Sequence, residues 1–363
     1  MGGLILLFLL LSLFYVGFGL VVIAGLCVRE KRGPGYQGPV SVAVVARDEE
    51  KSLPLLLERL GQLESSSAIH EFILVDDGSA DRTGELMEAF ARRESKARVI
   101  RLDGKPASLP GKKWGITRVM ETAAAGFVFF TDADCLPPVT WITEGRAYLD
   151  EATGMAIGAV FSDHGSWFTQ LESTSGALFT FALAPFRQAP YCSGGNMAVS
   201  VNAFQAVKGY EGTPAMASGD DMFLLQKIQK SFMIKPMYSK ATAVLTHRLY
   251  SRSEYTEKNK RKYGKNVFLR PWQTAAFIAG VLYLTLIPVM ALLGGAFPFV
   301  WAVLGVKALV EWAAFTIGAV RMGRSGDIPF FPLFALVYPV KVILFSFWGA
   351  WKGYRWKSER TIH

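Results

Sequence analysis

The chain has 363 residues, 51% of them hydrophobic, and a formal net charge of +9. That apolar share exceeds what a soluble one-domain enzyme needs, and the basic residues flank apolar stretches, where anionic lipid headgroups account for them without any nucleic acid. Cys27, Cys135 and Cys192 form no Cys-x-x-Cys pattern, so neither a disulfide framework nor a zinc site is expected, and no nucleic-acid-binding module is recognisable.

Leu4 to Val28 carries no charge and is long enough to cross a hydrocarbon layer of about 30 Å. It lacks the basic start and short apolar core of a cleaved signal, so residues 1–28 read as an uncleaved anchor. Arg29, Lys31, Arg32 and Lys51 follow, and the positive-inside rule puts the chain after 28 in the cytoplasm. After a linker at Gly33-Pro34-Gly35, Val40–Ala46 is a predicted strand, Leu53–Leu63 a helix, Phe72–Val75 a strand, and Asp81-Arg82-Thr83 starts a helix through about Ala91, with Asp or Thr as its cap. Val99–Leu102, a helix opening at Gly111-Lys112 and the strand from Phe127 continue the alternation, which predicts a doubly wound, mainly parallel α/β sheet. Trp272–Leu293 and Phe297–Val320 both reach spanning length, with Gly294-Gly295-Ala296 between them as a tight turn. Pro329–Trp351 contains Pro332, Pro339 and Lys341, and a full span there would export the basic tail Lys352, Arg355, Lys357 and Arg360. A re-entrant or interfacial segment is therefore expected. The expected divisions are an anchor (1–28), a cytoplasmic catalytic domain (38–270), membrane segments (271–351) and a tail (352–363).

Three strands end on acids: Asp48, Asp76 with Asp77, and Asp132 with Asp134. Open α/β sheets bind ligands at the carboxyl ends of their strands. An Asp-x-Asp alone is also what a capped turn presents. Several carboxylates on one edge repel one another unless a cation compensates, and hard oxygen ligands suit Mg²⁺ or Mn²⁺ carrying a diphosphate. The first βα turn has no glycine-rich dinucleotide or P-loop pattern. Downstream, Gly194-Gly195-Asn196 permits close backbone approach, and Gly219-Asp220-Asp221 opens a helix, where one acid serves the helix dipole and the second is a candidate base. Ser253–Arg270 reads either as a basic collar before the membrane or as a phosphate- or headgroup-binding face there, and Trp167, Phe168, Phe179 and Phe181 are candidates either for a lipid entry or for core.

Together Val45-Ala46-Arg47-Asp48-Glu49, Val75-Asp76-Asp77-Gly78-Ser79, Gly111-Lys112, Asp132-Ala133-Asp134, Gly194-Gly195-Asn196 and Gly219-Asp220-Asp221 resemble a membrane-anchored, inverting family 2 glycosyltransferase of the GT-A fold over about residues 38–270. The resemblance implies donor binding by Ala46, Asp48, Glu49, Asp76, Asp77, Lys112, Asp132, Ala133 and Asp134, with Asp132 and Asp134 holding Mg²⁺ or Mn²⁺. It implies Asp221 as catalytic base, and Gly194, Gly195, Asn196, Asp220, Arg261, Lys262 and Tyr263 on the acceptor side. The implied partners are a UDP- or GDP-hexose and a membrane lipid acceptor of the polyprenyl phosphate, glycolipid, hopanoid or carotenoid type, at a bacterial-type inner membrane. Asp48 replaces the family's common Asn. Asn259-Lys260-Arg261-Lys262-Tyr263 stands where processive synthases have Gln-x-x-Arg-Trp, which disfavours polymer synthesis. A nucleotidyltransferase would need a basic first loop where this chain has Arg47-Asp48-Glu49-Glu50, and a turnover-dead nucleotide-sugar sensor would not need Asp132, Asp134 and Asp221.

Overall fold

The computed structural model describes residues 2–28, 35–64, 67–102, 104, 106–162, 166–248, 250–293, 297–352, 354–356 and 359–361. Arg29, Lys31, Arg32, the Gly33-Pro34 linker, the Gly294-Gly295-Ala296 turn and Lys357 lie outside them. The chain forms two compact units, Met1–Val28 with Ser251–His363, and Arg29–Tyr250.

The elements, in order, are α1 (Gly2–Cys27), β1 (Val40–Ala46), α2 (Leu53–Gly61), β2 (Ile69–Asp76), α3 (Thr83–Arg93), β3 (Ala97–Arg101), α4 (Lys113–Thr122), β4 (Phe127–Thr131), β5 (Cys135–Leu136), α5 (Trp141–Arg146), β6 (Thr153–Gly158), β7 (Val160–Ser162), α6 (Trp167–Leu183), β8 (Met197–Ser200), α7 (Val201–Ala206), α8 (Asp220–Ile228), β9 (Met233–Met237) and β10 (Val244–Thr246). Then come α9 (Arg252–Gly264), α10 (Pro271–Leu292), α11 (Phe299–Arg321), α12 (Phe331–Lys352), β11 (Tyr354–Trp356) and β12 (Glu359–Thr361).

In the middle unit, the seven-stranded sheet has the order β3-β2-β1-β4-β8-β6-β9. β8 runs against β4 and β6, and the other neighbours are parallel, so the sheet is mixed but mainly parallel as expected. Every residue of β1 and β4 is buried. Their nearly continuous apolar runs, with only Ser41 and Thr131 polar, reflect a sheet covered on both faces. On α2, Leu53, Leu56, Leu57 and Leu60 are buried at the three-and-four spacing of a helix lying on that sheet. The order reverses at β1, with β2 on one side and β4 on the other, which makes the β1/β4 carboxyl edge the switch-point crevice. A three-stranded sheet, β5-β10-β7, borders the same region. The stretch from Cys135 to Leu183, to which the sequence assigns no element and only the aromatic candidates Trp167, Phe168, Phe179 and Phe181, supplies β5, β6, β7, α5 and α6. Its strands are short, and β6 shifts register against β9 at Gly154, so no periodic signal announces them.

In the terminal unit, Tyr15 Oη donates to Glu311 Oε1 at 2.6 Å, and Arg321 donates to the carbonyls of Leu26 and Val28. Low numbers meet low and high meet high, so α1 and α11 run parallel. Glu311 also accepts from Lys307 at 2.7 Å, the pairing that an acid in an apolar helix requires. α1, α10, α11 and the stretch Ser325–Trp348 are long and apolar enough to cross a membrane. The last segment, expected to be re-entrant or interfacial, is a continuous helix of 22 residues in α12.

Candidate active site

The chain leaves β1 through Asp48, whose φ of +51° turns it sharply. That left-handed bend is held by Asp48 itself, which receives Ala80 N–H on Oδ1 at 2.8 Å while its own N–H donates to Ser79 Oγ at 3.0 Å. Glu49 N–H donates to Thr83 Oγ1 (2.8 Å) and Glu50 N–H to Asp81 Oδ2 (3.0 Å). The turns after β1 and β2 are thus stitched into one wall. Asp76 accepts from Ser79 N–H at 2.9 Å and packs against Gly84, while Asp77 N–H donates to the Ala46 carbonyl at 2.9 Å. Asp76 and Asp77 are both buried. Asp48 and Asp76 shape this wall, and their bonds to the backbone use one oxygen of each.

Across the switch point, Asp132 and Asp134 follow β4. Their carboxylates and the Cys135 thiol can each place a ligand atom within 4.8 Å of one another. Lys112 Nζ donates to Asp132 Oδ1 at 2.6 Å. Burial disfavours the Lys112 cation, but Asp132, with Asp220 and Asp134 behind it, more than offsets this and holds its pKa above the ordinary lysine value. Burial, then the neighbouring Asp132, pushes the Asp134 carboxyl up against the opposing pull of Lys112 and Arg248. Arg248 was not singled out by motif reading. Its Nη1 stands 3.3 Å from Glu49 Oε1 and 3.9 Å from Asp134 Oδ2, bridging the ends of β1 and β4. Beside it, His247 N–H donates to the Asp134 carbonyl at 3.2 Å. His247 Nδ1 is buried with no hydrogen-bond partner among the described residues.

The third wall is the Gly194-Gly195 loop before β8. Thr131 Oγ1 donates to the Gly195 carbonyl at 3.1 Å, and Gly194 N–H donates to Asp221 Oδ2 at 3.3 Å. A methyl group built on Gly194 would lie 3.8 Å from Asp220 Oδ2, 3.9 Å from Asp221 Cβ and 4.0 Å from Asp132 Oδ1. One built on Gly195 would sit 2.9 Å from Cys135 Sγ and 3.3 Å from Asp132 Oδ2. The loop therefore stands where the Asp-x-Asp and the Asp-Asp come together. Asp220 and Asp221 open α8 after Gly219, whose φ is +87°, and Asp221 Oδ1 accepts the Met222 N–H at 2.7 Å. Gly111 (φ +63°) lies directly on the Ala217 carbonyl, which seats Lys112 beside this segment. That left-handed residue is why α4 begins at Lys113 rather than at Gly111.

Asn196 belongs to the core and does not face a ligand. Its Oδ1 receives Trp141 Nε1–H at 3.0 Å, and its Nδ2 donates to the carbonyls of Ala159 (2.9 Å) and Thr242 (2.8 Å). It is fully buried, so it anchors the glycine loop from behind. Phe181 is likewise core, edge-on to Tyr238, whereas Trp167 is exposed. Arg261, Lys262 and Tyr263 stand on α9, in the terminal unit.

Residues 41–208 match the model of Glycosyl transferase family 2, and the chain carries a domain of that family. Among characterised proteins it is similar to the undecaprenyl-phosphate 4-deoxy-4-formamido-L-arabinose transferase of Pseudomonas aeruginosa, 38% identical over 101 residues, 27% of this chain and 29% of that one. It is also similar to the beta-monoglucosyldiacylglycerol synthase of Nostoc sp., 27% identical over 95 residues, 26% of this chain and 20% of that one. The aligned part thus spans under a third of the length of these relatives. The mannosyltransferase PcManGT of Pyrobaculum calidifontis, solved with GDP-Man and Mn²⁺, superposes with a TM-score of 0.56 at 14% identity, covering 95% of this chain and 99% of that one. That likeness establishes the GT-A-type fold.

Proposed function

We propose that the chain is a metal-dependent, inverting glycosyltransferase that moves one sugar from a UDP- or GDP-sugar to a lipid acceptor at a membrane face. The observation that carries the reading is the meeting of Asp221 with Asp132 at the Gly194 loop, each within 4.0 Å of the position a Gly194 methyl would take. A base for an acceptor hydroxyl and the acids for a diphosphate must lie on either side of one sugar ring, and this loop is thin enough to leave that space.

The donor set suits a hard divalent ion: two clustered carboxylates, of which burial and then the neighbouring Asp132 leave Asp134 with a raised pKa despite Lys112 and Arg248. Mg²⁺ or Mn²⁺ on Asp132 and Asp134 would supply charge compensation for the departing diphosphate. Asp77 and the Asp48–Glu49 turn line the nucleoside side. Lys112 lies beside Asp132 to neutralise phosphate. Asp221 accepts the proton from the acceptor hydroxyl as its oxygen attacks the anomeric carbon, and the bond to the diphosphate oxygen breaks on the opposite face, inverting the centre. The catalytic unit faces the cytoplasm. In support, Arg321 caps the end of α1 where the basic run Arg29, Lys31 and Arg32 follows in sequence, as the positive-inside rule requires.

The relatives' names include both a polyprenyl phosphate and a diacylglycerol carrier. Mass spectrometry of lipids from cells making the native chain or Asp221→Asn, with nucleotide sugar supplied, reads carrier and sugar together. A lipid bearing one added sugar should appear with the native chain alone, while Asp221→Asn still binds the nucleotide. No new lipid from the native chain sinks the proposal, and a ladder of added sugars would make it a polymerase.

A further inference from the structure

Of the helices long enough to span, α12 differs from the others in what it touches. Its start, Phe331, stacks on Phe315 of α11 at 4.2 Å, one to two turns from Arg321, which binds the end of α1. The start of α12 is therefore near the face where α1 and α11 end. Its later turns lie along α9 and the turn that follows it: Tyr338 Oη is 3.3 Å from Tyr263 Oη, Lys341 Nζ donates to Tyr255 Oη at 2.6 Å, and Asn266 Nδ2, just past α9, donates to Ser346 Oγ at 3.2 Å. Lys260 Nζ lies 4.6 Å over the Trp348 ring. α9 carries Arg252, Glu254, Glu257, Lys258, Arg261 and Lys262 as well, too many charges for hydrocarbon. Asn266 precedes Pro271, where α10 enters from the face at which α1 ends. Both Phe331 and Ser346 thus belong to one face, although a crossing helix would separate them by about 22 Å in depth.

The remaining surface of α12 explains how it stays there. Leu333, Leu336, Val337, Val340, Leu344 and Phe347 are 53%, 76%, 47%, 56%, 60% and 67% exposed. Their three-and-four spacing makes one apolar stripe, separate from the face that meets α9.

We propose that α12 is an interfacial helix and not a span. Its apolar stripe lies in the lipid leaflet at the face where α1 and α11 end, with α9 along its other flank presenting lysines and arginines to anionic headgroups. The chain then crosses three times, and its last residues stay on the side of Val28 and Ser251, which keeps the basic tail off the far side. This does not rest on the chemistry proposed above.

Two measurements on the full chain in membranes test it, in a Cys27→Ser, Cys192→Ser background. A membrane-impermeant maleimide is applied to intact and to opened cells carrying Thr361→Cys, Lys51→Cys or Leu292→Cys. Thr361→Cys should follow Lys51→Cys, whichever side that is; following Leu292→Cys overturns the proposal. A spin label at Val340→Cys should report a shallower depth, by oxygen against nickel accessibility, than one at Leu309→Cys in α11. Equal depth overturns the interfacial placement.

Discussion

Lys112 Nζ sits 2.6 Å from Asp132 Oδ1, so the Asp-x-Asp carries its own counter-charge before any ligand arrives. Removing that charge separates two functions of the pair. Lys112→Met should weaken nucleotide-sugar binding about tenfold, or about 1.4 kcal/mol, by loss of a phosphate contact, while Mn²⁺ affinity holds or rises because the acids lose a competing cation. Calorimetric titration of each ligand separately checks this.

Gly194 and Gly111 should respond oppositely to alanine. At Gly194 the new methyl meets only ordinary contacts of 3.8–4.0 Å, so stability should stay within about 0.5 kcal/mol while transfer falls at least tenfold, because the space between Asp221 and Asp132 is filled. At Gly111 the methyl runs into the Ala217 carbonyl, at 2.7 Å from its carbon, with φ at +63°. A loss of about 1–3 kcal/mol is expected there, read from thermal unfolding in detergent.

With Mn²⁺ held by Asp132 and Asp134 as proposed, Arg248 should set how acid the medium can become before the ion is released. It is one of the cations drawing down an Asp134 carboxyl that burial and Asp132 push up. Arg248→Ala should raise that carboxyl further, so protons compete with Mn²⁺ from a higher pH. Spin-resonance titration of Mn²⁺ against falling pH should show affinity falling off earlier than in the native chain.

Glu71 should contribute acid sensitivity to the sheet. Burial alone would raise its pKa, but the Ala124 amide (2.9 Å), Arg98 (2.7 Å) and Ser41 (2.9 Å) hold it below the ordinary carboxyl value. A depressed folded-state pKa gives stability that is present above the unfolded value and lost as pH falls through the folded one. Glu71→Gln should cost about 1–3 kcal/mol at neutral pH. Its deficit should shrink as pH drops below the ordinary glutamate range, which unfolding midpoints across pH would reveal.

Much of the candidate site's acidic edge was legible in the chain because it is local. An apolar run that stops on an acid is a strand end in one short window, so Asp48, Asp76, Asp77, Asp132 and Asp134 fall on one sheet edge by local pattern alone. The four apolar segments were equally plain, since length and hydropathy are properties of consecutive residues. Tertiary structure alone decided the rest. Arg248 reaches Glu49 from 199 positions away, Gly111 bears on Ala217, and Asn196 is drawn from a ligand-facing role into the core by Trp141, Ala159 and Thr242. The contacts that hold α12 beside α9 are equally remote, with Lys341 meeting Tyr255 across 86 positions. Composition can offer a carboxylate, a guanidinium or an apolar helix. What each one does depends on which distant group desolvates or pairs with it, because hydrogen bonds and ion pairs act over a few ångströms in space whatever the separation along the chain.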